Sequence, residues 1–290
     1  MTSRIEQPTC LVTGARGYLG SRVKTGLQSR GWKVVELTRE PRADVPAVRF
    51  QLGEDVSAQL LGGADALVHC AYDFKQLSWS RIQAINVAGS AKLFRAAREA
   101  KVRTLVEISS ISAFEGCRSL YGKAKLETEK IAQDLGVISI RPALIWGDEP
   151  AGMFGRLVAQ VESARVLPLF GGGRQIQYLT HEQDLCELIY SCVATKISPG
   201  PGPITFADEQ PWTFRGILEE IARAKAKKIS FVPLPWRALW AVLRIAEACS
   251  VPLNFRSDSL VSLMYQNPNP SFASQRGLGV PCRPFRFTAR

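Results

Sequence analysis

The chain holds only two histidines in 290 residues, His69 and His181. They are too few and too far apart to propose a metal site, which needs several convergent ligands. The seven cysteines are odd in number and form no Cys-x-x-Cys pair. That argues against a zinc or disulfide framework and points to a reducing compartment. Cys10 and Cys70 lie in apolar, strand-like runs, where cysteine acts as a small hydrophobe. No apolar run approaches membrane-spanning length without charge, so no spanning helix is expected. Met1 to Pro8 contains no apolar stretch of signal-peptide length, and the cytoplasm is the expected address. Runs of Lys and Arg are also scarce. The densest, Ala224-Lys225-Ala226-Lys227-Lys228, reads as the solvated end of a helix. No internal repeat is visible.

Hydrophobic residues make up 46% of the chain and charged residues 22%, a balance that suits a globular enzyme. Its length allows one large domain, or one with a smaller partner. The net charge of +11 favours anionic ligands such as phosphates. A phosphorylated cofactor accounts for it without invoking a specific nucleic acid.

The organising stretch runs from Thr9 to Gly20. Cys10-Leu11-Val12 is an apolar run of the kind a buried parallel strand needs. Three glycines follow, Gly14, Gly17 and Gly20, and then an amphipathic segment from Tyr18 to Ser29 that Gly31 stops. Gly14 permits a sharp reversal. Gly17 lets the backbone approach a pyrophosphate. Gly20 lets the helix sit close on the strand. The helix N-terminus then faces the phosphates. The spacing is Gly-x-x-Gly-x-x-Gly rather than the commoner Gly-x-Gly-x-x-Gly.

Further strands are predicted at 33–37, 48–52, 64–71, 105–108 and 137–141, the last ended by Pro142. Helices are predicted at 80–100 and 121–135. The alternation argues a parallel, doubly wound sheet. A ribose-reading carboxylate is expected at the end of the second strand. Thr38 stands there instead and Arg39 follows, which favours a 2′-phosphate and hence NADP over NAD. A plain surface arginine is the competing reading. Beyond Gly147 the pattern changes. A helix is predicted at 153–164, a glycine loop at 169–174, and a helix at 185–194. Thr180 with Gln183 looks like its capping box. Residues 198–203 read as a linker. A helix at 213–225, a strand at 229–232, an apolar helix at 236–249 and an irregular basic tail from Pro281 to Arg290 complete the reading.

Tyr121 and Lys125 lie four apart, on one helix face. A nearby ammonium favours the phenolate of a residue that otherwise titrates near ~10. It can also bind the nicotinamide ribose. Ser110, at the end of the fifth strand, can hold a substrate oxygen against Tyr121.

With these pieces the chain resembles the short-chain dehydrogenase/reductase superfamily, in its extended epimerase/dehydratase-like branch. The matches are Thr13 to Gly20, Val68-His69-Cys70-Ala71, Asn86-Val87-Ala88-Gly89-Ser90, Ile108-Ser109-Ser110, Tyr121-x-x-x-Lys125 and Arg141 to Gly147, about the first half of the chain. His181 to Asp184 is similar to a later family element. The resemblance implies a Rossmann-like α/β fold with a smaller C-terminal α+β substrate-binding region. Residues 1–148 would form the dinucleotide-binding domain, with 178–206 returning to it. Residues 149–177 and 207–290 would bind substrate. Tyr121 would be the general acid/base, Lys125 its electrostatic partner and Ser110 the polarising hydroxyl, with Ser109 as fallback. The cofactor would meet Gly14, Arg16, Gly17, Tyr18, Leu19 and Gly20 at the first turn. Thr38, Arg39 and Leu52 would follow, then Cys70, Ala71 and Tyr72. Asn86 would fix its helix or a relay water. Lys125, Pro142, Leu144 and Ile145 would line the nicotinamide.

Departures narrow the chemistry. Ile111-Ser112 replaces the Asp-Glu pair of family dehydratases, which disfavours elimination. Leu144 stands near an asparagine that contacts the diphosphate in many sugar-nucleotide epimerases. The short gap from Ser110 to Tyr121 leaves little loop over the site. Cys117 lies within that gap, and an ordinary loop cysteine is the simpler reading. Arg174, Arg256, Arg276, Arg283 and Arg286 are candidate anion contacts. The helix beginning at Trp236 could touch a membrane or pack on the substrate region. The expected function is an NAD(P)-dependent oxidoreductase or epimerase acting on a secondary alcohol or ketone of a nucleotide-sugar; the alternatives are an NADP-dependent reductase or dehydrogenase of an apolar ketone, steroid-like or flavonoid-like, and a non-catalytic cofactor-sensing or RNA-associated protein. A homodimer through the helices at 80–100 and 121–135 is implied by resemblance alone.

Overall fold

A computed structural model describes residues 7–197, 200–249, 251, 253 and 255–288. Ser198 and Pro199 of the predicted linker, residues 1–6 and the last two residues of the tail lie outside the described residues. The strands are β1 Thr9–Thr13, β2 Lys33–Thr38, β3 Ala47–Arg49, β4 Ala66–His69, β5 Thr104–Ile108 and β6 Ile138–Pro142. Then come β7 Leu144–Trp146, β8 Val166–Phe170, β9 Ile176–His181, β10 Ile204–Phe206, β11 Asp208–Thr213 and β12 Ser230–Leu234. The helices are α1 Tyr18–Gln28, α2 Trp79–Ile82, α3 Ala88–Glu99, α4 Leu120–Asp134 and α5 Gly152–Ser163. They continue with α6 Glu182–Val193, α7 Phe214–Ala224, α8 Trp236–Ala248, α9 Ser257–Met264 and α10 Ala273–Arg276.

The central sheet has seven strands in the order β10-β6-β5-β4-β1-β2-β3, all paired in parallel. The fold is therefore a Rossmann-like, doubly wound α/β sheet, as the alternation of elements predicts. Its strands are apolar on both sides because helices cover both faces. On one face Cys10, Val12, Ala66, Val68, Val106 and Ile140 pack with α1 and with Leu185, Leu188 and Ile189 of α6. On the other, Leu11, Leu67 and Leu105 pack with Leu93, Phe94 and Ala97 of α3. The chain leaves β1 toward β2 on one side, while β4 lies on the other. This is the switch point where doubly wound sheets open a crevice at the strands' carboxyl ends.

Smaller sheets build the rest: β11-β9-β7, and a two-stranded β12-β8. Their core holds Phe154, Leu179, Phe214, Ile217 and Ile221. Phe285 and Phe287 of the tail plug into it, so the described part of the tail is irregular in backbone yet anchored in apolar packing.

Three local expectations are corrected. Thr180 does not cap α6. His181 is the N-cap, its Nδ1 accepting from Gln183 N at 3.2 Å. The Thr180 hydroxyl instead donates to Phe206 O (2.7 Å) and accepts from Ala143 N (2.9 Å), tying β9 to its neighbours. The predicted glycine loop at 169–174 begins inside β8, which pairs in register with β12. The long helix predicted at 80–100 is interrupted by a π-helical turn, Gln83–Val87. That extra residue turns Asn86 inward, where it is 2% exposed.

Candidate active site

The opening loop forms a tight cradle. Gly14 has φ +65°, and a Cβ there would stand 3.0 Å from Ala71 N. A Cβ at Gly20 would overlap the Gly14 carbonyl. Only glycine lets β1, α1 and the chain after β4 approach this closely. Gly17 is the N-cap of α1 without a side-chain cap, and the first turn carries no acidic residue. The free N–H groups of that turn thus face outward without a competing carboxylate, which fits a pyrophosphate. Thr13 closes the cradle. Its hydroxyl accepts from Cys70 N and Ala71 N, both at 3.1 Å.

At the ribose edge, Thr38 ends β2 and Arg39 is exposed. Glu36, 3% exposed, is held by Lys24 (2.9 Å) and Arg16 (3.2 Å). Burial opposes its charge, yet the Lys24 and Arg16 partners win and hold the carboxyl below its usual range. Arg16 also donates to Glu40 O at 2.9 Å. Leu52 lies against Gly89 at the start of α3.

Tyr121 lies in the first turn of α4. Ser119 caps that helix, accepting from Gly122 N at 3.1 Å. A second cap comes from far away in sequence: Asp258 of α9 accepts from Leu120 N (2.7 Å) and Tyr121 N (3.0 Å). A carboxylate at the positive end of the helix holds the tyrosine's own backbone. Arg256, two residues earlier, donates to Phe74 O and to Gln76 O (2.9 Å). The Ser112 hydroxyl meets Ser262 of α9 at 3.1 Å. The short 111–119 loop is therefore flanked by α9, a neighbour its length does not reveal.

The rings of Tyr72 and Phe74 enclose Tyr121, with centroids 5.0 and 5.7 Å away. Burial pushes the Tyr121 phenol up to about 12; a hydrogen bond from Ser110 pulls the other way, and Glu107 and Glu129 add to the rise. The phenol is thus a neutral proton donor. Lys125, 4% exposed, directs its ammonium to Ile108 O at 2.6 Å, with the Tyr72 ring 5.4 Å away. Burial lowers its pKa, and Glu107, Cys70 and Glu129 oppose that. The expectation of a lysine acting straight on the phenol is therefore modified. A buried ammonium must find an acceptor, and the last carbonyl of β5 is nearest to hand.

Ser109 and Ser110 serve different partners. Ser109 donates to Glu129, which Arg141 grips with two nitrogens at 2.8 and 2.5 Å. Ser110 alone is brought to Tyr121. Asn86 is committed to the loop after β4: it accepts from Asp73 N (2.7 Å) and donates to Asp73 O (3.2 Å). Pro142, Leu144 and Ile145 run from β6 into β7 beside the same strand ends. Tyr18 lies in the first turn of α1, its ring against Gly152. Cys117 is buried beneath Gly122.

Among the arginines offered as anion contacts, Arg276 pairs with Glu209 and Arg283 with Asp184. Arg256 is spent on the Phe74 loop. These three hold the fold.

Under the site runs a polar row that the sequence pattern hides. Thr13, His69, Glu107 and Ser139 stand side by side in register across β1, β4, β5 and β6. The Thr13 hydroxyl donates to His69 Nδ1 (2.8 Å). His69 Nε2 then donates to Ser90 Oγ (2.8 Å), which donates to Asn86 O (2.6 Å). Because Ser90 spends its proton on Asn86, the imidazole carries its own on Nε2. Burial, with the Lys125 charge behind it, pushes His69 down to about 3. Glu107 is 0% exposed and neither carboxyl oxygen has a hydrogen-bond partner. Burial pushes it up to about 8, against the pull of Lys125.

The chain is 24% identical over 267 residues to a 4-hydroxy-2-methyl-3-oxo-4-farnesyl-3,4-dihydroquinoline-1-oxide ketoreductase of Stigmatella aurantiaca, covering 82% of this chain and 79% of that protein. It is 25% identical to a ceramide reductase of Caulobacter vibrioides, covering 94% and 89%. In fold it matches MoeE5, solved with UDP-glucuronic acid and NAD, with TM-score 0.68 and 21% identity over 78% of this chain and 85% of that one. It also matches the UDP-N-acetylglucosamine 4-epimerase of Bacillus cereus, with TM-score 0.65 and 19% identity over 88% and 97%. The profile of the NAD dependent epimerase/dehydratase family matches residues 10–205. This chain belongs to the NAD-dependent epimerase/dehydratase family, within the extended short-chain dehydrogenase/reductase superfamily.

Proposed function

We propose that the protein is an NAD(P)-dependent oxidoreductase that interconverts a ketone and a secondary alcohol on a largely apolar substrate. The observation that carries this is Tyr121. Its phenol is protonated at neutral pH, feels the Ser110 hydroxyl, which favours its ionised form, and is walled by Tyr72 and Phe74. A protonated donor beside apolar rings suits reduction of a carbonyl set in hydrocarbon.

The glycine cradle and the first turn of α1 would hold the pyrophosphate, and Lys125 the nicotinamide ribose. The bound nicotinamide supplies or accepts the hydride. Ser110 holds and polarises the substrate oxygen. Tyr121 gives it the proton in reduction and takes it back in oxidation, so charge balances at the oxygen. Asp258 and Ser119 keep the phenol in place by fixing the backbone that carries it. Residues 1–148, with 178–206, would carry the cofactor, and 149–177 with 207–290 the substrate. NADP is the favoured cofactor. Thr38 leaves the ribose edge without its usual carboxylate, Glu36 is already committed, and Arg39 is exposed to meet a 2′-phosphate.

The two curated relatives described above are a ceramide reductase and a farnesylated-quinoline ketoreductase, which supports an apolar substrate. Epimerisation of a nucleotide-sugar is the second reading, favoured by the UDP-sugar in MoeE5. The test is nicotinamide absorbance with purified protein. Net NADPH oxidation with long-chain or polycyclic ketones supports the first reading. Conversion of a UDP-sugar with no net absorbance change selects the second. Turnover of neither, with cofactor bound, leaves a binding protein.

A further inference from the structure

Helix α8 carries two apolar faces, and only one of them is used. Its inner side, where Leu243 is buried, packs on α9. On the outer side, Ala238, Ala241, Val242 and Ile245 recur at i, i+3, i+4 and i+7, a continuous stripe by helical periodicity. All four are exposed, Val242 by 61% and Ile245 by 66%. Arg237 and Arg244, seven apart, run along one edge of that stripe, and Trp240 stands beside them, 39% exposed.

Charge narrows the choice of partner. From Lys225 to Val251 the sequence has five Lys/Arg and one acidic residue, Glu247. Glu247 is buried, accepting from Ser257 N (2.8 Å) and Ser257 Oγ (2.7 Å). Arg244 reaches it at 3.5 Å, yet its side chain stays half exposed. Lys225 is held by Glu162, whereas Arg237 and Lys228 are exposed. The stretch therefore presents apolar side chains and positive charge, and none of its own carboxylates reaches the surface.

A second copy of the chain fits this face poorly. The helix has 13 residues, so it is about 20 Å long and ~10 Å wide. One face then offers on the order of 200 Å², against ~800 Å² per partner in a stable dimer. A bilayer needs no such complementary area. It accepts a shallow apolar stripe, a tryptophan at headgroup level and arginines against anionic lipid.

We propose that the outer face of α8 is a docking surface for an anionic lipid bilayer. The surface includes none of the candidate site residues and does not depend on the catalytic reading. It has a bearing on it, because α9 touches both α8 and the capped end of α4.

The full chain would be floated with vesicles of phosphatidylcholine alone and of phosphatidylcholine with phosphatidylglycerol, at low and high salt. Co-flotation with the anionic vesicles only, weakened by salt, is expected. Val242→Asp with Ile245→Asp should reduce it at least about tenfold, and Arg237→Glu about tenfold. Both variants should keep the wild-type melting temperature and NADPH binding. Equal binding to both vesicles, no binding, or binding unchanged in either folded variant overturns the proposal. A dimer by light scattering that the double variant dissociates, with no vesicle binding, assigns the face to a second copy instead. Arg237→Glu keeps the test open should the double variant fail to fold.

Discussion

The two faces of the central sheet are built from alternate residues of the same strands, both with hydrocarbon cores, and they differ at the strands' carboxyl ends. Val12, Val68 and Val106 face α1 and α6 as plain hydrocarbon. Their neighbours Thr13, His69 and Glu107 face α3 and α4 as a row of polar groups in register. Both faces are fully buried, so burial alone does not separate structure from chemistry. Partners do. Thr13 and His69 are satisfied by a chain of hydrogen bonds that ends at the Asn86 carbonyl. Glu107 and Ser139 are not. The apolar face holds the sheet together. The other face carries hydrocarbon at Leu11, Leu67 and Leu105 and, at the carboxyl ends of the same strands, the polar row.

Substitutions can break this contrast. On the polar side, Tyr121→Phe should lower turnover by about 10²–10⁴-fold. Cofactor binding and melting should stay intact, with nicotinamide absorbance as the readout; a loss under tenfold would remove Tyr121 from the chemistry. On the apolar side, Leu188→Ala should cost about 2–5 kcal/mol in urea unfolding. That loss should be the same at every pH between 5 and 8, since Leu188 packs against hydrocarbon.

The two buried ionisable groups should pull pH dependence in opposite directions. Glu107 sits at about 8 against an ordinary 4.5, so the folded state binds more protons between those values. Its folded-state penalty grows as pH rises through that window. Glu107→Gln should remove this, and the stability difference between variant and wild type should shift toward the variant by a few kcal/mol from pH 5 to 8. His69 sits at about 3 against 6.5, so the unfolded chain binds more protons between them. Stability should fall as pH drops through that range, and His69→Gln should flatten this acid limb whatever it costs at neutral pH. Urea midpoints across pH read both; parallel curves for variant and wild type would refute either assignment. The smallest effect is Asp258→Asn. It keeps one of the two capping oxygens, replaces the other with an amide nitrogen that cannot accept from the backbone, and removes the charge, costing on the order of 1 kcal/mol. Turnover should drop a few-fold through the mispositioned Tyr121 backbone.

Much of the Rossmann half is legible because its signals are local. An apolar run, a glycine turn and a 3.6-residue period sit within twenty residues of one another. The Tyr121–Lys125 pair is legible for the same reason, as one turn of one helix. Elsewhere the signal is not local. Strands β7 and β10 have three residues each and β11, Asp-Glu-Gln-Pro-Trp-Thr, lacks clean alternation, so pairing partners decide them. Thr180 carries a capping motif but bonds Phe206 O and Ala143 N, because strands already in place offer them. Asp258 caps a helix that begins 138 residues earlier, and no spacing rule reaches that far. Glu107 reads as a polar interruption in Leu-Val-Glu-Ile until β4 and β6 close over it.

By itself the sequence determined the strand–turn–helix opening, the parallel sheet and the candidate acid, because each follows from backbone sterics and side-chain period over a few residues. The tertiary structure decided which serine meets Tyr121, where the Lys125 ammonium goes, which arginines are committed to ion pairs, and what lies beneath the site. Those outcomes are set by competition among distant partners for the same buried hydrogen bonds. That competition begins only once the chain is packed and water has gone.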